Sequence, residues 1–378
     1  MIRNILTVCS LICRLKFGKY ILVAFMFFQC YAEKKDPDRK PESDILAENI
    51  MNLVDENPAY QKFGLLKLSE YGFFEQPLNL LQPIGNVLPY DLNTPLFTDF
   101  ALKKRFIYLP EDSLIHYNNL EPLSFPEGTV LIKNFYYSHE QLGLKESLIL
   151  ETRLLIKNEG EWIALPYIWN SSQTEAYLEL TGGIVPVKLA KNNQSFEFLI
   201  PTIIQCKSCH ELNGEMVPIG PTVRQLNRDF PYSSGDMNQI DKIIEQGWMV
   251  DNPNSDEWPK LAQWDQPESG SLDDRARAYL DINCGHCHRP EGPAKNSGLD
   301  LTIFASNEYN LGINKSPVAA GAGSGDLKYD IYPGNPDKSI LVYRMKSYDP
   351  GIMMPELGRS LIHEEGLKLI EKWIDSLD

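Results

Sequence analysis

The chain has 378 residues, with 51 acidic against 36 basic and a formal net charge of −15. So acidic a surface does not suit nucleic acid or anionic lipid. The length is enough to bury two hydrophobic cores.

The chain opens with two short apolar runs, residues 4–13 and 20–28, separated by Arg14, Lys16 and Lys19. Neither reaches the roughly 18–20 residues of a membrane-spanning helix. A basic region followed by a short apolar run predicts a secretory signal over residues 1–30. Cys30 at its end resembles the lipid-accepting cysteine of bacterial lipoproteins, although Phe27-Phe28-Gln29 departs from the commonest form of that signal. Ordinary cleavage or an uncleaved anchor are the alternatives. Residues 31–59 are polar and proline-bearing, as a tether would be. Residues 1–29 carry four basic and no acidic side chains, so the remainder carries −19.

Residues 60–200 are predicted as an all-β, sandwich-like domain. Segments 104–109, 129–137, 148–157, 161–169 and 195–200 are rich in β-branched and aromatic residues. Turn signals at Pro126-Glu127-Gly128, Asn158-Glu159-Gly160 and Gly182-Gly183 separate them. The aromatic residues read as core.

From Pro201 the texture changes to helices and loops, in which one pattern occurs twice. Cys206-Lys207-Ser208-Cys209-His210 lies in segment 201–262, and Cys284-Gly285-His286-Cys287-His288 in segment 263–378. Cys-x-x-Cys-His is the spacing of c-type haem attachment: two thiols add to the vinyl groups on one porphyrin edge, and the adjacent histidine reaches the iron. A zinc ribbon would place its two pairs about 15–20 residues apart, and a thioredoxin-like redox site would need one pair near a βαβ pattern. Here both pairs carry the trailing histidine, and Cys209 and Cys284 are 75 residues apart. The expected cofactors are therefore two covalent haem c groups, with Cys206, Cys209, Cys284 and Cys287 as anchors and His210 and His288 on iron. Cys9 and Cys13 would leave with the signal and Cys30 would take lipid, so no cysteine remains for a structural disulfide.

A strand-like segment, 196–205, precedes the first motif. Before the second, Ser271 is placed to cap a helix over 272–283, with Asp273 and Asp274 in its first turn. Leu367, Ile370, Ile374 and Leu377 lie at helical spacing near the C-terminus. A helix leading into Cys-x-x-Cys-His and a final amphipathic helix resemble the class I cytochrome c fold, in which the two cross beside the haem. The expected fold class is thus α+β and multidomain, with a mainly α, cytochrome c-like C-terminal region.

Methionine suits the second axial position of a haem that carries electrons. Met354, before Pro355 and ahead of the last helix, resembles the distal ligand of class I cytochromes c and is preferred to Met353. For the first haem the candidate is Met249, which follows a helix and Gly247. Met216, Met237, His116 and His139 are weaker candidates, Met216 because the chain would have to turn back sharply. An open iron is the remaining case. His286 reads as a spacer facing away, His363 as a surface residue, and 321–326 as a loop. There is no HExxH, P-loop or Gly-x-Ser-x-Gly motif.

Residues 89–106, 125–135, 151–156, 166–176, 218–230, 284–301 and 352–367 together resemble a group of dihaem c-type cytochromes of Gram-negative bacteria, with a β-rich domain ahead of two haem motifs. The resemblance implies an exported haem protein in the periplasm and no particular substrate. Three roles follow. The first is an electron carrier, lipid-anchored and steered toward a basic redox partner. The second is a dihaem peroxidase or oxidase with an open first haem. The third is a binding module in which the β domain recognises a partner and the haems relay. The spin state of the first haem separates the first two.

Overall fold

The structure is a computed structural model that describes residues 63–378 other than 192 and 319. The signal, the tether and Cys30 lie outside the described residues. The strands, in chain order, are β1 (Val87–Tyr90), β2 (Leu102–Tyr108), β3 (Ile115–His116), β4 (Val130–Tyr137), β5 (Leu148–Asn158), β6 (Glu161–Trp169), β7 (Ala176–Leu178), β8 (Gly183–Leu189) and β9 (Gln194–Ile200). The five predicted strands are all present, with bounds shifted by at most two residues. Six strands form one antiparallel sheet in the order β1-β2-β4-β5-β6-β7. The turn between β5 and β6 places Glu159 and Gly160 at φ 53° and 83°. Two positive φ values match the right-handed twist of a two-residue hairpin, and only glycine adopts the second without strain.

The sheet buries both faces. On one, Phe106, Ile132, Leu154, Leu165 and Tyr167 pack on Leu68, Phe73, Phe74 and Leu78. On the other, Ile107, Leu131, Leu155 and Ala164 meet Val223, Leu226, Ile240, Ile243 and Met249 together with Cys206. The β8-β9 hairpin adds Val187, Phe198 and Ile200 against Phe135. The expectation of a sandwich is met only by a sheet with a hairpin on part of one face. The segment after Pro201 supplies the rest of that layer, because its apolar residues need the same surface.

Toward the C-terminus, helix Leu272–Leu280 packs on helix Glu364–Asp375 through Tyr279, Leu280, Ile370 and Trp373. Trp373 Nε1 donates to Asp273 at 2.7 Å. Gly366 allows the close approach: a methyl there would sit 2.5 Å from Cζ and Oη of Tyr279. Bonds also tie this region to the segment between β1 and β2. Thr94 Oγ1 donates to the Ala262 carbonyl at 2.7 Å, and Phe97 N donates to Asn283 Oδ1 at 2.9 Å. The Asp99 carboxylate accepts from the backbone N–H of Ser360 and Leu361 at 2.7 and 2.8 Å. All described residues belong to one compact unit.

Candidate functional site

The first motif lies on a helix, not at the end of a strand. β9 stops at Ile200, and helix Ile203–His210 carries Cys206, Cys209 and His210. Pro201 ends the ladder because it has no N–H to give. Thr202 then caps the helix: its hydroxyl accepts from Gln205 N at 3.1 Å, and the Gln205 side chain accepts from Thr202 N at 2.9 Å. Such a cap is worth about 1 kcal/mol. Directly after His210 the chain does turn back sharply, through a hairpin pairing Glu211–Leu212 with Glu215–Met216. Asn213 and Gly214 form its tip at φ 52° and 89°.

That hairpin decides the state of His210. It returns Val217 to the imidazole, whose Nδ1 lies 2.9 Å from the Val217 carbonyl oxygen. A carbonyl only accepts, so Nδ1 carries the proton and Nε2 keeps its lone pair. Burial pushes the imidazole down to about 3, so it is neutral.

The second motif reaches the same state by another route. Ser271 caps helix Leu272–Leu280 as expected, Asp274 completes a capping box with it, and a wider turn, Asp281–Gly285, delivers Cys284. His288 Nδ1 lies 3.0 Å from Ser297 Oγ, which itself donates to the Ala294 carbonyl at 2.8 Å. With its proton committed, the hydroxyl accepts from His288, and Nε2 is again free. Burial pushes His288 down to about 4.

The two motifs touch. The Cys287 thiol hydrogen-bonds Cys209, and His286 also reaches Cys209. The bond from Cys287 lowers Cys209, against the opposing effect of burial, and the same bond raises Cys287. Cys206 is 3% exposed. All four cysteines are free thiols. His286 does not simply face away: it lines a cavity together with Cys209, and its Nδ1 lies 3.2 Å from the Ile282 carbonyl oxygen. A cavity of about 290 Å³ is lined by Cys209, His210, Ile219, Gly285 and His286, with Trp162 from the sheet. Among the described residues, no group of three or more Cys, His, Asp or Glu side chains is arranged to hold a metal ion by itself.

The candidate distal residues fall into distinct places. Met249 is buried in the hydrophobic cluster that contains Cys206, and Met216 and Met237 pack against it. His116 instead faces solvent, paired with Asp251 at 3.0 Å, and His139 is exposed at the start of a short helix. Neither reaches over the first motif, because both sit at outward positions. Met354 is half-buried, and its backbone is pinned from both sides: its N–H donates to the Arg344 carbonyl at 3.2 Å and its carbonyl accepts from Arg359 at 3.1 Å. The loop lies by the second motif, since Glu356 acts on Cys287 and Arg344 on His288. Met353 is half-buried in the same loop. Gly321–Ser324 is a tight turn whose Gly323 leaves room for the Arg344 guanidinium.

His363 is not a surface residue. It stacks on Phe97 at 4.2 Å and 8°, with Phe100, Trp264 and Tyr279 around it. Tyr279 Oη and His363 Nδ1 are 3.0 Å apart. The aromatic partners come from distant parts of the chain, so the helix pattern alone left it outside.

Val217 and Ser297, which orient the two imidazoles, were not singled out in the sequence. The Asn213-Gly214 hairpin signal could have found the first; a serine nine residues past His288 carries no comparable signal. No protein-family model, curated protein or solved structure matches this chain.

Proposed function

We propose that the chain is an exported dihaem c-type cytochrome that carries electrons between a membrane or periplasmic partner and a downstream acceptor. The observation that carries this reading is the matched state of the two trailing histidines. Each has Nδ1 held by an acceptor and Nε2 free, neutral and next to its cysteine pair. This is the tautomer a metal-bound imidazole requires, with the second partner that fixes its orientation.

In this reading Cys206 with Cys209, and Cys284 with Cys287, form the thioethers, and His210 and His288 present Nε2 to iron. When bound, a haem c supplies an iron that accepts and releases one electron. Val217 and Ser297 hold the rings against rotation. Met354 for the second motif and Met249 for the first are the proposed sixth ligands. The packing of helices Leu272–Leu280 and Glu364–Asp375 beside Cys284 supports a cytochrome c-like frame for residues 263–378. Cys30 would hold the protein at a membrane of the cell envelope, and the acidic surface would favour a basic redox partner.

The test is expression with a c-type maturation system. Two covalent haems per chain are expected, with Met354→Ala converting one from low to high spin. A chain that attaches none overturns the reading. Rapid peroxide turnover at a high-spin first haem would replace electron carriage with catalysis.

A further inference from the structure

Three cations lie in a row across the middle of the sheet. Arg105 on β2 is directly opposite Lys133 on β4, and Lys133 is directly opposite Arg153 on β5. Like charges placed opposite one another in a sheet destabilise it. Two of the three have internal partners. Arg105 pairs with Asp91 at 2.6 Å, and Arg153 grips Glu151 through two bonds of 2.8 and 2.9 Å. Lys133 has no hydrogen bond or ion pair among the described residues; its ammonium lies 4.8 Å from the centre of the Phe135 ring. Lys103, two residues before Arg105, stands one row further along the same face.

The row borders a cavity of about 90 Å³ lined by Arg105, Lys133, Arg153, Ile219, Ile282 and His210. That is well below the roughly 300–1,000 Å³ of pockets for drug-sized ligands, and suits a single charged group. The next row, Ile107, Leu131 and Leu155, is apolar and packs around Cys206. In a chain so acidic, an unpaired cation between two guanidiniums beside the first motif is an arrangement that folding alone disfavours. A bound anion would offset it.

We propose that Arg105, Lys133 and Arg153 form an anion site beside His210 that takes a carboxylate or a small oxyanion. Two sources share this chemistry: a free small anion from solution, or a carboxylate of a haem anchored at Cys206 and Cys209. Burial first and then the neighbouring cations lower Lys133, with only Glu151 opposing them, so the counter-charge at hand is incomplete. Only the haem source rests on the proposed function.

The experiment compares the full chain with Lys133→Met and Lys133→Arg, with and without attached haem. Formate is titrated by calorimetry at fixed ionic strength, and haem carboxylate bands are followed by redox-difference infrared spectroscopy. Saturable formate binding to the haem-loaded protein, weakened tenfold or more in Lys133→Met and restored in Lys133→Arg, assigns the site to a free anion. Formate binding confined to the haem-free chain, with a shifted carboxylate band in haem-loaded Lys133→Met, assigns it to the haem. In either case Lys133→Met should unfold at a higher temperature than the parent when no anion is present, which shows that the variant folds. No formate binding in either form, with an unchanged infrared band, overturns the site. A chain that attaches no haem sinks the proposed function, and its formate titration still decides the anion site.

Discussion

His363 shows what a single residue can hide. At the head of an amphipathic helix it reads as exposed, yet Phe97, Phe100, Trp264 and Tyr279 enclose it. Burial, the dominant cause, lowers it from 6.5 to about 4; Glu365 and Lys103 act on it more weakly and in opposite directions. The unfolded chain therefore binds this proton at a higher pH than the folded one. Stability is complete above about 6.5 and is lost as the pH falls toward 4, by up to about 3 kcal/mol from this group. His210 and His288 push the same way, so the test is comparative. His363→Phe keeps the stack on Phe97 and removes the titration. Its melting temperature should fall less between pH 7 and pH 4.5 than that of the parent; equal falls would remove His363 as a contributor. The two Cys-x-x-Cys-His motifs stood out in the sequence because their spacing repeats; their haem reading is the proposal. The box around His363 was not, since it assembles from three remote segments.

At the scale of elements, legibility followed local signals. The five strands and the Ser271 cap were readable, because β-branched runs and a serine followed by first-turn acids act within a few residues. Helix Ile203–His210 was not, because Ile203 and Ile204 continue the β-like composition of β9 and only Thr202 marks the break. The contact between helices Leu272–Leu280 and Glu364–Asp375 turns on Gly366, set directly against the Tyr279 ring. Gly366→Ala should force the helices apart and cost about 1–3 kcal/mol by overpacking. Urea unfolding measures this directly, and a change under about 0.5 kcal/mol would mean that the helices can slide to make room.

On the whole-molecule scale the charge is divided. The chain beyond residue 29 carries −19, while Lys103, Arg105, Lys133 and Arg153 are gathered inside, against the sheet face nearest the first motif. An acidic exterior should speed encounter with a basic redox protein at low ionic strength. The second-order rate of electron exchange with such a partner should fall at least tenfold between about 10 mM and 500 mM salt, as the Debye length shortens from roughly 30 Å to a few Å. A salt-independent rate in stopped-flow measurements would remove steering from the account. The meeting of Cys209 and Cys287 also belongs to this scale, and no motif spacing announced it, because the fold alone brings the two segments together. It bears on the order of events in the life of the protein. In the folded chain Cys206 is covered, and the thiols of separate motifs lie against each other. With Cys206 covered, the first pair is closed to any enzyme that would act on both of its thiols. On the proposed reading, loading must happen while the polypeptide is still open, and folding is the step that seals it.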